Sequence, residues 1–288
     1  MVKLLLKTLL PILWIYVTVS CNVDMGGLFS STDLDERLKE KNNPESLSRL
    51  APLTLGDEYS FIVMTDTHIE NGNAHGLEKI QTVIAENPEI RFAVFCGDIT
   101  QNGAEQDVKK FIDITDKLTI PAYPVIGNHD IFFGNWSVWK KLIGSTSYRI
   151  NGGSATLFML DSANSFFGKQ QLDWLEKELK SAHGKAAGNA AGNANGNANG
   201  RVFVFSHHNL FGGSAVNIQQ QSDTRERARI ISLLSGRCDI MFTGHSHERL
   251  IKKAGGVLFV NIEDYTSTKT YCLVSVKKTG ISYEFKKL

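Results

Sequence analysis

Five short segments carry residue types that do chemistry together: Asp66-Thr67-His68, Gly97-Asp98, Gly127-Asn128-His129-Asp130, His207-His208 and Gly244-His245-Ser246-His247. They offer carboxylates, an amide oxygen and imidazoles. Imidazole and oxygen donors suit Mn, Fe and Zn. The set is large enough for a pair of divalent ions, with the His129-Asp130 pair left over beside them. Metal pairs are used to hydrolyse phosphate esters, because they activate water at neutral pH and neutralise the phosphoryl oxygens. The leaving oxygen still needs a proton, and a histidine is the commonest donor. Taken singly, each segment has an ordinary reading. Asp66 can cap a turn, Asn128 after Gly127 is a plausible turn residue, and histidines often lie at the surface. Taken jointly, five segments in one order, each following a strand-like stretch, exceed what turns alone would supply. Six of the chain's eight histidines fall in these segments.

The elements that must position them read as alternating strands and helices. Strands are expected at 59–65, 90–96, 122–126, 155–160 and 201–206, with helices at 76–87, 105–118, 168–182 and 223–235. Leu172, Trp174, Leu175 and Leu179 form an apolar stripe at helical spacing. The C-terminal part turns to strands at 240–243, 249–253, 257–261, 271–276 and 281–285, with Gly255-Gly256 as a hairpin turn. Strand–helix alternation followed by consecutive strands indicates a layered α/β fold with antiparallel content.

The order D-x-H, G-D, G-N-H-D, H, G-H-x-H resembles the calcineurin-like metallophosphoesterase superfamily. Leu160-Asp161-Ser162 followed by Gln171-Leu172-Asp173-Trp174-Leu175 extends the resemblance over about residues 59–265. It implies two packed mixed β-sheets flanked by helices, a four-layer sandwich. It also implies a ligand set. Asp66 and His68 bind a first metal, Asp98 bridges, and Asn128 and His207 bind a second. His207 is chosen over His208 on the family's spacing. His245 joins the second metal and His247 the first. His129 then contacts the phosphoryl group and protonates the leaving oxygen, with Asp130 orienting and charging its ring. Gln101 stands where purple acid phosphatases carry a tyrosine, which argues against a tyrosinate-bound ferric iron. The run Gly97-Asp98-Ile99-Thr100-Gln101-Asn102-Gly103 looks most like the branch of bacterial cyclic-nucleotide and glycerophosphodiester phosphodiesterases. The expected function is therefore an exported phosphoesterase with two divalent transition metals (Mn, Fe or Zn), acting on a small phosphate ester with diesters favoured. The alternatives are a monoesterase or phosphoprotein phosphatase of the same fold, or an inactive surface lipoprotein.

Composition bounds the rest. The 288 residues are 42% apolar and 21% charged, an ordinary globular mixture, and 31 basic against 30 acidic residues leave a formal charge of +1. With no polybasic run, specific binding to a nucleic-acid backbone is not expected. Lys3 and Lys7 flank an apolar run from Leu4 to Val19 that contains Pro11. This reads as a signal segment, residues 1–21, rather than a span. Ser20-Cys21 at its end resembles a bacterial lipobox, so Cys21 is expected to carry lipid and to be the contact with a membrane. Residues 22–57 read as a tether with one short helix at 33–41, and residues 58–288 as the catalytic domain. Residues 184–200, a Gly/Ala/Asn repeat, read as a surface loop. Cys96 reads as a small buried hydrophobe. Cys238 and Cys272 could pair, though nothing local requires it.

Overall fold

Two sheets, each buried on both faces, form the centre of the molecule. The computed structural model describes residues 33–184, 200–212 and 223–288; the expected signal segment, most of the 184–200 loop and residues 22–32 lie outside them. The first sheet has the order β11-β10-β1-β2-β3 and the second β4-β5-β6-β7-β9-β8. Strands β1 (Tyr59–Met64), β2 (Ile90–Cys96) and β3 (Ala122–Val125) run parallel, with β10 (Thr270–Lys277) and β11 (Gly280–Lys287) added antiparallel. In the second sheet β5 (Ala155–Met159), β6 (Arg201–Phe205), β7 (Ile240–Thr243) and β9 (Val257–Asn261) are parallel. The edges β4 (Tyr148–Asn151) and β8 (Leu250–Ala254) are antiparallel.

The sequence explains why the sheets stack. YSFIVM in β1 and RVFVF in β6 are near-continuous apolar runs, the signature of strands covered on both sides. Alternate residues point into the space between the sheets: Phe61, Val63, Phe92, Val94, Leu157, Phe203, Phe205 and Phe242 share one core. Phe61 stacks on Phe92 at 4.6 Å and meets Phe203 edge-on at 4.9 Å. The opposite faces take helices. α3 (Ile80–Glu86), α4 (Glu105–Thr115) and α5 (Trp136–Leu142) pack on the first sheet through Ile80, Ile84, Val108, Phe111 and Trp139. α6 (Lys169–Gly184) and α7 (Thr224–Leu234) cover the second through Leu172, Leu175, Leu179, Ile230 and Leu234. The result is the four-layer α/β sandwich expected.

Two differences from the sequence reading have physical causes. Residues 33–57 are not a tether. α1 (Leu34–Leu38) and α2 (Pro44–Ser48) lie against the domain, with Leu34, Arg37 and Leu38 buried. Leu53 and Leu55 join the core between the sheets. Polar composition suggested a free linker, but Leu34 and Leu38 sit one helical turn apart and share a face. The second difference is α5 and β4, in a stretch to which no element was given. Trp136, Trp139 and Ile143 recur at helical spacing and are buried. Cys96 is buried as expected, and Cys238 and Cys272 are buried and unbridged.

Candidate metal centre

Every expected site residue follows the C-terminal end of a strand. Asp66 and His68 follow β1, Asp98 follows β2, Asn128 to Asp130 follow β3, His207 follows β6, and His245 and His247 follow β7. The two sheets face each other, so these ends meet at one rim, where open parallel sheets place ligands. Five of these residues have left-handed backbones: Asp66 (φ 54°), His68 (41°), Asp98 (49°), His245 (69°) and His247 (55°). Such conformations cost non-glycine residues roughly 1–3 kcal/mol each and gather at functional sites. Here they turn the chain so that side chains leave the strand ends toward a common centre.

Each carboxylate is divided between holding the backbone and facing the centre. Asp66 Oδ2 accepts from Thr65 Oγ1 (2.6 Å) and from the His245 amide (3.1 Å). Its Oδ1 makes no hydrogen bond and lies 3.2 Å from His247 Nε2 and 3.7 Å from His68 Nε2. Asp98 Oδ1 accepts from the His129 amide (2.9 Å). Its Oδ2 lies 3.1 Å from His207 Nε2, 3.9 Å from His129 Nε2 and 4.0 Å from His68 Nε2. Asp98 therefore sits between two donor groups, the position expected of a bridging ligand.

The imidazoles are oriented from behind. His207 Nδ1 donates to the Cys96 carbonyl (2.9 Å), which leaves Nε2 toward the centre. His245 Nδ1 lies 3.2 Å from that Nε2. Asn128 Oδ1 and both ring nitrogens of His68 are buried without hydrogen-bond partners. Buried polar atoms seldom stay unpaired. Asp66 Oδ1, His68 Nε2 and Asn128 Oδ1 are all unpaired beside the same carboxylates and imidazoles. A pair of cations would satisfy them, and the donor set fits divalent transition metals. Asp66–His68–His247 and Asp66–Asp98–His207 are clusters whose ligand atoms all lie within 4.8 Å of one another, as are His68–Asp98–His129 and His207–His208–His245.

Electrostatics agree with this geometry. Burial alone would raise the Asp98 carboxyl, but His207, then His129 and His68, hold it well below the usual carboxylate range. Burial lowers His207, yet the charge and hydrogen bond of Asp98 outweigh it and push it up to about 9. Burial, reinforced by His207, pushes His245 down to about 3. Neighbouring imidazoles thus hold protons very differently, which is what one anion surrounded by several bases produces.

Two residues differ from expectation in their surroundings. Asp130 does not hold the His129 ring. Its oxygens accept from the amides of Ile99 (3.3 Å), Thr100 (2.9 Å) and Gly127 (2.9 Å) and from Thr100 Oγ1 (2.9 Å). Burial and then the Asp98 charge raise its carboxyl to about 6 against those hydrogen bonds. Asp130 clamps the loops carrying Asp98 and Asn128 together. The His129 ring is held instead by the Gln101 carbonyl, which accepts from Nδ1 at 2.7 Å. A backbone acceptor carries no side-chain signature, so sequence reading had no means to find it. Thr65, bonded to Asp66, and Ser162, whose Oγ accepts from the amides of His207 (3.2 Å) and His208 (2.9 Å), were also not singled out as site residues. His208 itself is buried beside His207, with Nε2 2.9 Å from Ser165 Oγ.

The packing is tight enough to test. Gly97 has φ 87°, and a Cβ there would lie 2.5 Å from the His207 ring. Gly97→Ala is expected to cost at least about 1–2 kcal/mol from its backbone alone. Since it also moves a candidate ligand, metal affinity measured by calorimetry should fall with it. Unchanged metal binding in a folded Gly97→Ala protein would show that His207 does not need this position.

Comparison with known proteins places the class. The model of the calcineurin-like phosphoesterase family matches residues 59–249, and the chain belongs to that family. A probable cyclic nucleotide phosphodiesterase from Colwellia psychrerythraea is 33% identical over 96 residues, covering 27% of this chain and 36% of that protein. A probable glycerophosphodiester phosphodiesterase from Arcobacter nitrofigilis is 25% identical over 189 residues, 58% of this chain and 63% of that protein. The chain thus spans less than two thirds of the length of either curated relative. A dimetal phosphatase from Danio rerio shares the fold, with a TM-score of 0.59 at 13% identity over 78% of this chain and 98% of that one.

Proposed function

We propose that this protein is a phosphodiesterase whose site holds two divalent transition metals, Mn, Fe or Zn. The observation that carries the reading is the convergence of unpaired buried donors around the two carboxylates: Asp66 Oδ1, His68 Nε2 and Asn128 Oδ1. Asp66, His68 and His247 would hold the first metal, and Asn128, His207 and His245 the second, with Asp98 between them. When bound, such ions supply activated water and charge neutralisation at the phosphoryl oxygens. The chain's own part is to orient and to move a proton. His129, with Nδ1 tied to Gln101, presents Nε2 toward the rim, where it can protonate the leaving oxygen. Asp130 keeps the loops in register. Diesters are favoured over monoesters because both curated relatives are named for diesters.

The test is hydrolysis of bis-p-nitrophenyl phosphate and p-nitrophenyl phosphate by metal-free protein titrated with Mn, Zn and Fe. Metal-dependent turnover with a preference for the diester is expected. Full activity after exhaustive metal removal would end the metal reading, and a monoester preference would move the protein to that alternative. His129→Ala should lower turnover about 10²–10⁴-fold, the usual worth of a positioned acid. Its metal content by elemental analysis should stay at the wild-type value; metal loss would make His129 a ligand instead.

The proposal extends to location. Among the described residues no helix is long and apolar enough to cross a membrane. The charged, then apolar, N-terminal run ending at Ser20-Cys21 supports export and lipid attachment at Cys21. The partner is then a small phosphate ester on the far side of a bacterial membrane, without specific nucleic-acid binding. Cys21→Ser should move the protein from the membrane to the soluble fraction. Equal membrane recovery of both proteins would leave the signal segment as an ordinary anchor.

A further inference from the structure

The segment before β1 reaches the second-metal half of the centre through buried charge. Arg37 on α1 is fully buried. It donates from Nε to Asp161 Oδ2 (2.8 Å), and from Nη2 to Asp161 Oδ1 (3.0 Å) and Asn164 Oδ1 (2.6 Å). Both acceptors lie in the loop after β5. Asp161 Oδ1 also accepts from the Ala163 amide (3.0 Å), so the loop is drawn around the guanidinium. The same loop supports the histidine pair. Ser162 Oγ accepts from the amides of His207 and His208, and the Ser165 hydroxyl meets His208 Nε2. The His208 ring lies against His245 with centroids 3.8 Å apart. An uninterrupted set of contacts therefore runs from Arg37 to two candidate ligands of one metal.

We propose that Arg37 is a positioning residue for the second metal: it fixes the 161–165 loop, and that loop fixes His207 and His245. The inference rests on the two-metal reading above. A buried guanidinium is well suited to the task, because its planar fork engages a carboxylate through two bonds and a neighbouring amide oxygen through a third. Groups that orient metal ligands typically change affinity about 10–100-fold when removed. The effect should be larger at the second metal, since the 161–165 loop contacts the amide of its ligand His207 and the ring of His208, which lies against its ligand His245.

The experiment is calorimetric titration of the metal-free full-length protein with Zn²⁺ alone. Wild type should show two binding events. Arg37→Met and Asn164→Ala are compared with Leu55→Ala, a core substitution from the same N-terminal segment, where Leu55 pairs with Gly152 and Gly153. Asn164→Ala removes only one bond of the network and serves if Arg37→Met does not fold. Weakening of one event by tenfold or more in the network variants, with both events unchanged in Leu55→Ala, supports the proposal. Unaltered affinities in the folded network variants overturn it, as does equal weakening in Leu55→Ala, which would make the effect one of general stability. Absence of any binding to wild type would overturn the two-metal reading itself, and the proposal with it.

Discussion

Asp98→Ala should abolish metal-dependent hydrolysis while the protein still folds. Asp98 Oδ2 lies near candidate ligands of both metals, 3.1 Å from His207 Nε2 and 4.0 Å from His68 Nε2. Its removal would take away the anion that two bound dications would share, leaving their mutual repulsion without compensation. Such ions would supply several kcal/mol of transition-state charge stabilisation. At about 1.4 kcal/mol per tenfold, the loss should reach on the order of a thousandfold in kcat/KM. Asp98 Oδ1 also accepts the His129 amide, so the candidate acid should shift as well. Turnover and metal content, measured on one preparation, check both parts. A variant that keeps two metals and wild-type rates would remove Asp98 from the centre altogether.

Arg37→Met should unfold the protein at a markedly lower temperature. Arg37 and Asp161 are both fully buried and paired at 2.8 Å. Breaking a buried pair by removing one partner typically costs 3–5 kcal/mol, because the remaining charge stays in the interior without compensation. For a domain of this size that corresponds to a fall of about 10 °C in Tm. The double variant Arg37→Met/Asp161→Leu should recover part of the loss, since it removes the stranded carboxylate as well. Thermal unfolding followed by circular dichroism reads both. A single variant melting within about 2 °C of wild type would mean that residues 33–57 contribute little to the domain.

This second expectation marks where sequence reading stopped. The polar composition of residues 22–57 looked like that of a linker, and an arginine in such a stretch normally faces water. Only the fold places Arg37 against a carboxylate 124 positions later. The strands were legible for the opposite reason. Apolar runs such as FAVFC and RVFVF are long enough, and buried enough on both faces, that local pattern and tertiary environment agree. The amphipathic helices α6 and α7 were legible through their stripes. α5 and β4 were not, because they lie in a mixed stretch of aromatic, basic and small residues whose burial depends on neighbours remote in sequence.

The sequence by itself determined which residues are candidates for the chemistry. Asp66, His68, Asp98, Asn128, His129, His207, His245 and His247 had to be drawn from types that bind metals or move protons, and a strand before each fixes where it emerges. The tertiary structure decided what each atom does there. It gave the His129 ring to the Gln101 carbonyl rather than to Asp130, set one oxygen of each carboxylate on the backbone and the other on the centre, and turned His207 by the Cys96 carbonyl. These assignments depend on backbone groups and on distances across the sheets. A backbone carbonyl is present at every position, so its selection as a partner becomes visible only when the chain has folded.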